Sequence, residues 1–398
     1  MAGFLVTGQV APPPAADRLL VVISDIEMGD GGPTDDFPHS DFLGALIVSY
    51  NGPRYRDLPV ELVFNGDTFD LLKTPWQGAF PSHITAAIAL GKLAQVAATH
   101  PAFFAALRTF LAHPHAERRV QFIVGNHDAE LVFPEVQDEV RRLCGGDPRV
   151  LFPGFRLAIG KVLIEHGSQR DRMFQVDEAQ PFVEFGGERI LHISWGAAAL
   201  LETVIPLRDL LGFHERLKPR EQVLQLVPEI GDLMMERFRT YWLRDFWRGY
   251  FGGGDPTKEL SWPMLKEVLW RFSSQSTAVE LQEGLAARLA QSDEYLLYVL
   301  GHTHEARWTS FGDRKILTAG CLRNEYMLSP SGDALWPMPK SYIEAWLRDG
   351  RPVVSSLIEL EGPPQPEGYL PASIFAVGQT LRDLASARQG SGATPAVE

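Results

Sequence analysis

At 398 residues with a formal net charge of -13, the chain is long enough for one large core or two modest ones. Its 45% hydrophobic and 22% charged content is that of a soluble globular protein. The acidic balance excludes a general nucleic-acid binder, which needs a positive field to gather phosphates. It leaves room for an anionic small substrate drawn in by bound cations.

Residues 1–18 read as a flexible leader, extended around Ala11–Pro14, with no basic stretch followed by a long apolar one that would mark a secretory signal. The first apolar run, Leu19–Ser24, predicts a buried strand that ends in Asp25-Ile26-Glu27. In extended chain, residues i and i+2 project from one face, so Asp25 and Glu27 can reach one cation together. A second run, Val60–Phe64, ends in Asn65-Gly66-Asp67-Thr68-Phe69-Asp70, followed by Leu71-Leu72-Lys73. Glycine allows a sharp exit from a sheet, and the carboxylate behind it can bridge cations. Either aspartate could instead cap a helix.

Helical stretches over 84–98 and 103–112 then lead to a third run, Val120–Val124, ending in Gly125-Asn126-His127-Asp128. An amide oxygen ligates hard cations, and the adjacent histidine can donate a proton near neutral pH. The fourth strand is expected over 156–164, ending in Glu165-His166-Gly167 and running into Ser168-Gln169-Arg170-Asp171. From 177 to 292 the pattern changes to amphipathic helices carrying Trp195, Trp242, Trp247, Trp262 and Trp270, which predicts a helical cap inserted into the main domain. A fifth strand, Tyr295–Leu300, ends in Gly301-His302-Thr303-His304, whose i, i+2 imidazoles share one side. Strand character returns over 306–309, 315–318 and 353–360, and 363–398 reads as a flexible tail. The main domain is therefore expected over 19–176 and 293–362.

Each block alone has a bland reading as a solvated loop, a helix cap or a structural histidine. Together they place five polar blocks at five strand exits, where an α/β sheet gathers its ligands. Oxygen and imidazole donors without thiolates suit Mn, Mg, Fe or Zn in a reactive site rather than a structural zinc. Cys144 and Cys321 form neither a disulfide framework nor a CxxC pair, which fits a reducing, cytoplasmic setting. No run of eighteen apolar residues predicts a membrane span.

These blocks resemble the calcineurin-like metallophosphoesterase superfamily, whose motifs run D-x-H, G-D-x-x-D, G-N-H-[DE], H and G-H-x-H. The resemblance implies an α/β fold, a four-layer α/β/β/α sandwich with two divalent metals at the sheet edge, Mn being the first choice. It assigns Asp25, Glu27, Asp67 and His304 to one metal, with Asp67 bridging to a second held by Asn126, His166 and His302. His127 would be the general acid, oriented by Asp70.

The departure is Glu27, which stands where the family has histidine and adds a negative charge to the first site. Asp70 is followed by Leu71-Leu72-Lys73 rather than the V-D-R-G pattern of protein Ser/Thr phosphatases, which lowers that reading.

The chain is similar, more distantly, to the UDP-2,3-diacylglucosamine pyrophosphohydrolases, which carry a helical cap in a comparable place. The substrate class implied is a phosphodiester or pyrophosphate, nucleotide- or lipid-linked. Arg170, Arg172, Arg307 and Arg323 are candidates to clamp its phosphate, and the cap is where a lipid would be contacted. The alternative is a catalytically silent, metal-stabilised binding or scaffold protein of the same fold, supported by Glu27 and opposed by His127 and Asp70.

Overall fold

The computed structural model describes residues 6–13, 16–252, 254–258, 294–366, 369–370 and 374–390. Strands β1 (Val6–Thr7), β2 (Arg18–Ile23), β3 (Val60–Asn65), β4 (Arg118–Ile123) and β5 (Val150–Gly154) are followed by β6 (Arg156–Ile159) and β7 (Val162–Glu165). A hairpin of β8 (Phe182–Phe185) and β9 (Glu188–Leu191) and the short β10 (Leu217–Lys218) precede β11 (Leu297–Leu300), β12 (Ala306–Phe311) and β13 (Arg314–Ala319). The last strands are β14 (Tyr326–Leu328), β15 (Leu335–Pro337), β16 (Lys340–Arg348) and β17 (Arg351–Leu360). Helices α1 (Ser40–Ser49), α2 (Ala86–Thr99), α3 (Pro101–Leu111) and α4 (Pro134–Leu143) lie between the early strands.

The result is a mixed α/β architecture with several sheets. The largest has the order β1-β17-β16-β2-β3-β4-β5, and a second has the order β12-β13-β11-β7-β6. Within the first, β2 to β5 are parallel. Within the second, β7, β11 and β13 are parallel. The strand exits named above are therefore carboxyl ends of parallel strands, which is where the polar blocks collect.

Strand β2 shows how the layers form. Leu19, Val21 and Ile23 enter a core shared with Phe103, Leu107 and Leu93 of the helices. Leu20 and Val22 enter a second core with Ile164, Val299 and Leu317 of the smaller sheet. With period two, a continuous apolar run fills both faces. Burying each such side chain contributes about 1.5–3 kcal/mol. Helices, large sheet and small sheet thus stack around two cores, and both parallel sets end near one edge.

The structure differs from the sequence reading at several places. The strand expected over 156–164 is a hairpin, β6 turning at Gly160-Lys161 into antiparallel β7. The segment from 177 is not helical throughout. It opens with the β8–β9 hairpin, whose Gly186 and Gly187 take positive φ of 62° and 84° at the turn. Trp262, Trp270 and the rest of 259–292 lie outside the described residues.

The ends are also structured in part. Val6 and Thr7 pair with Leu360 and Glu359. A helix, Ile374–Gly390, buries Ile374, Val377 and Leu381 against Val223, Val227 and Ile230. Their i, i+3, i+7 spacing is an apolar face that the Ala- and Gly-rich composition obscures.

The loop after β2 is tied to the helices by one carboxylate. Asp35 accepts from the backbone N–H of Gly29 (3.1 Å) and Phe37 (2.9 Å) and from His100 Nε2 (2.8 Å). Burial alone would raise its pKa, but His100 and the two backbone donors hold it below the usual aspartate value. A depressed carboxyl stabilises the fold above its unfolded pKa, and that stability is lost as pH falls through the folded value. Asp35→Asn is expected to lower unfolding stability at neutral pH by about 1–3 kcal/mol. In denaturant titrations the gap from wild type should narrow below about pH 3.9. A gap that stays constant with pH would remove the charge from this account.

Candidate metal centre

Two loop closures bring the exits of β2 and β3 together. The N–H groups of Ile26 and Glu27 both donate to the carbonyl of Asp67, at 2.9 and 2.8 Å. The buried carboxylate of Asp128 accepts from the N–H groups of Gly125 (2.7 Å), Asp67 (3.2 Å) and Thr68 (2.8 Å), which adds the exit of β4. The smaller sheet joins through Asn65, whose Nδ2 donates to the Glu165 carbonyl at 3.0 Å and whose own carbonyl accepts from His166 Nδ1 at 2.8 Å. Gly301 lets the exit of β11 close in, since a Cβ there would lie 1.9 Å from Ser24 Oγ and 2.6 Å from Asp25 Oδ2.

This crowding is written into the backbone. Among the described residues, seven non-glycines have positive φ, and five are Asp25 (53°), Glu27 (55°), Asp67 (50°), His302 (67°) and His304 (59°). Each left-handed residue carries a local cost of about 1–3 kcal/mol, a pattern that gathers where function needs a fixed side chain. Gln77 and Asp349 are the other two.

One donor group is built around His166. Its Nδ1 is committed to Asn65, while Nε2 lies 3.1 Å from Asp67 Oδ2 and 3.2 Å from Asn126 Oδ1. His302 donates through Nε2 to Asp171 at 3.3 Å, which leaves Nδ1 as its ligand atom. Ligand atoms of Asp67, His166 and His302 lie within 4.8 Å of one another. A carboxylate, an amide oxygen and two imidazoles, each ring oriented by a bond from its other nitrogen, is the donor set and outer shell of a divalent site. These residues fit a cation as they stand. Burial works against the charged His166 ring, but in the metal-free site Asp67 and Asp25 outweigh it and raise its pKa, so a cation has to displace a ring proton on binding.

The other group is differently made. His304 Nε2 lies 3.3 Å from Asp25 Oδ1 and 3.4 Å from Glu27 Oε1, and its Nδ1 donates to Glu325 at 3.2 Å. Glu27, fully buried, is already held by two fixed cations. Arg323 Nη1 meets both its oxygens at 2.9 and 3.0 Å, and Lys73 Nζ meets Oε2 at 3.0 Å. Burial would raise the Glu27 pKa, but Arg323 and Lys73 hold it well below the usual range.

Lys73 itself sits among four carboxylates: Glu27, Asp36 (2.5 Å), Asp70 (3.0 Å) and Glu215 (3.5 Å). Arg323 also meets Glu325 at 2.9 Å and donates to the Glu215 carbonyl at 3.0 Å. This group does not fit a second divalent ion as it stands.

His127 lies beside both groups. Its N–H donates to Asp67 Oδ1 at 2.7 Å, and its Nδ1 donates to Asp70 Oδ1 at 2.9 Å. Next to it, a small apolar cleft of about 20 Å³ opens at Asn126 and is lined by Ile84, Phe155, Phe174, Leu191 and Ile193.

All nine residues expected at the metals and the general acid are thus brought to one sheet edge. Of the four arginines, Arg323 stands there with them, 3% exposed, its donors meeting Glu27 and Glu325. Arg170 pairs with Glu165, and Arg172 and Arg307 are exposed. Asp36, Lys73, Asp171, Glu215 and Glu325 also stand at the site without a role in the sequence reading. Asp128 closes the Gly125-Asn126-His127-Asp128 block, and the i, i+3 spacing of Asp70 and Lys73 is a second local signal.

No protein-family model matches the sequence, and no curated protein matches it. Among solved structures the chain is similar to a phosphopantetheinyl hydrolase from Mycobacterium tuberculosis, with 13% identity. That match covers 77% of this chain and 91% of the other at a TM-score of 0.28, too low to show a shared fold.

Proposed function

We propose that this chain is a metal-dependent phosphoesterase that hydrolyses a phosphodiester or pyrophosphate bond. The carrying observation is the His166 group beside the His127–Asp70 pair: a fitting divalent site with a proton donor next to it. Asp67, Asn126, His166 and His302 would hold the cation, which would supply Lewis acidity and make a bound water more acidic. Mn stays the first choice, with Mg, Fe or Zn as competitors, since the oxygens suit Mn and Mg and the imidazoles Zn and Fe. The dinuclear arrangement implied by the resemblance would add Asp25, Glu27 and His304 as ligands of a second ion.

The chain's own residues account for the rest. Asp70 fixes the His127 ring through Nδ1, so Nε2 is the atom that protonates the leaving oxygen. Burial would lower the His127 pKa, but Glu27, Asp67 and Asp70 outweigh it and raise it, which favours the protonated ring that a general acid needs. The nucleotide- or lipid-linked substrate is what the resemblance implies, and the apolar side chains beside Asn126 would border its apolar arm.

The fold proposed with this function is the four-layer α/β/β/α sandwich over 19–176 and 293–362, with 177–292 inserted as a cap. No helix among the described residues is long and apolar enough to cross a membrane. The silent-scaffold reading is favoured by one observation, the ion pairs that hold Glu27. It leaves the His127–Asp70 pair without a purpose, since holding a metal needs neither.

In assays with bis-p-nitrophenyl phosphate and p-nitrophenyl phosphate after metal stripping and Mn or Mg reconstitution, the diester is expected to turn over only with metal. His127→Ala should lower that turnover by about 10²–10⁴-fold while metal content by elemental analysis is unchanged. Undiminished turnover in His127→Ala would remove it as the acid. His166→Ala is expected to lose the metal and, with it, the rise in melting temperature that Mn gives the wild type. A variant that still gains thermal stability from Mn would place the ion elsewhere.

A further inference from the structure

We infer that this is a one-metal centre, in which the side chains of Lys73 and Arg323 take the place of the second divalent cation. The inference rests on the metal reading above and concerns how many ions the site accepts.

Three observations carry it. First, each oxygen of Glu27 already faces fixed positive charge, from Arg323 at 2.9 and 3.0 Å and from Lys73 at 3.0 Å. Second, neither cation is a surface group that could swing away. Arg323 is 3% exposed, with Nε and Nη2 bound to Glu325 and Nη2 also to the Glu215 carbonyl. The Lys73 ammonium has three hydrogens, and Glu27, Asp36 and Asp70 all lie within 3.0 Å of Nζ. It occupies the space between the oxygens of Glu27, Asp36 and Asp70, a trio close enough to hold an ion.

Third, the two groups differ in a way that fits one ion. Among the described residues, no Lys or Arg is found paired with Asp67, Asn126, His166 or His302. A divalent ion at Asp25, Glu27 and His304 would face a guanidinium and an ammonium across one shared carboxylate, in a buried site where repulsion is weakly screened.

The substitution of Glu27 for histidine then has a purpose. A neutral imidazole there could not hold Arg323 and Lys73, whereas a carboxylate accepts from both. The built-in cations offset part of the charge of Glu27, Asp36, Asp70 and Glu325 without a second metal. With their donors committed, they steady the ligand loops and do not grip substrate.

The test is metal stoichiometry. Chelator-stripped wild type, re-equilibrated with excess Mn and desalted, is expected to retain about one ion per chain by elemental analysis and native mass spectrometry. Its electron paramagnetic resonance should show an isolated Mn signal without exchange coupling to a neighbour. Two retained ions with a coupled signal would overturn the inference while leaving the phosphoesterase reading intact. No retained ion would overturn the metal reading itself.

Lys73→Met, which frees the Glu27, Asp36 and Asp70 oxygens, is expected to take up a second ion, and Lys73→Arg is expected to stay at one. If Lys73→Met folds, as judged by circular dichroism, and still holds one ion, the excluding role given to Lys73 is wrong. If it does not fold, the wild-type count and its resonance signal decide the question alone.

Discussion

The arrangement depends on how the chain keeps a cluster of buried carboxylates from repelling itself apart. Asp25, Glu27, Asp36, Asp67, Asp70, Asp128 and Glu325 all lie at one edge of the stacked sheets, each nearly or fully buried. Taking so many like charges from water costs more than packing can return unless each one finds a cation or several N–H donors. The compensation is divided by place. Asp128 and Asp25 are satisfied by backbone N–H groups, including two bonds of 3.1 Å from the His302 N–H to Asp25. Glu27, Asp36 and Asp70 are satisfied by Lys73, helped at Glu27 by Arg323. Asp67 is left to the His166 ring and the His127 N–H.

That division has consequences for rigidity. A loop residue in the left-handed region is held only if its surroundings over-determine it. Here the over-determination is visible: the Asp67 carbonyl receives two N–H groups from the neighbouring loop, and the Asp128 carboxylate receives three. The strained backbone therefore aims five side chains inward from loops that would otherwise sample many conformations. Asp35 extends the same framework outward, through His100, to the junction of α2 and α3.

The asymmetry between the two donor groups also bears on chemistry. The buried carboxylates outnumber Lys73 and Arg323, so under the proposed reading the positive charge that would draw in a phosphate has to come from the bound cation. Under the proposed reading Lys73 and Arg323, unlike a second metal, cannot present a bound water, so activation of a nucleophile would fall to an ion held by the His166 group.

Much of this was readable along the chain. Runs such as Leu19–Ile23 are continuous and apolar because the strand is buried on both faces, Val60–Phe64 is interrupted only by Glu61, and each polar block follows its run closely. Local sequence therefore located the strand exits and the donors on them. It failed where the partner of a residue is distant. Strand β16 lies beside β2 at the centre of the large sheet, yet Glu344 breaks its apolar pattern. Only the fold shows that Tyr50 donates to that carboxylate at 2.8 Å. Arg323 reads as a free cation near a site block, but the tertiary structure buries it against Glu27, 296 residues away in sequence.

The sequence by itself determined which donors stand at the strand ends, because strand period and a glycine or carboxylate at an exit are local properties. Which of those donors remain open to a metal was decided by the tertiary structure alone. Ion pairing in a buried site acts through space, and the charges that close around Glu27 come from parts of the chain that only folding brings together.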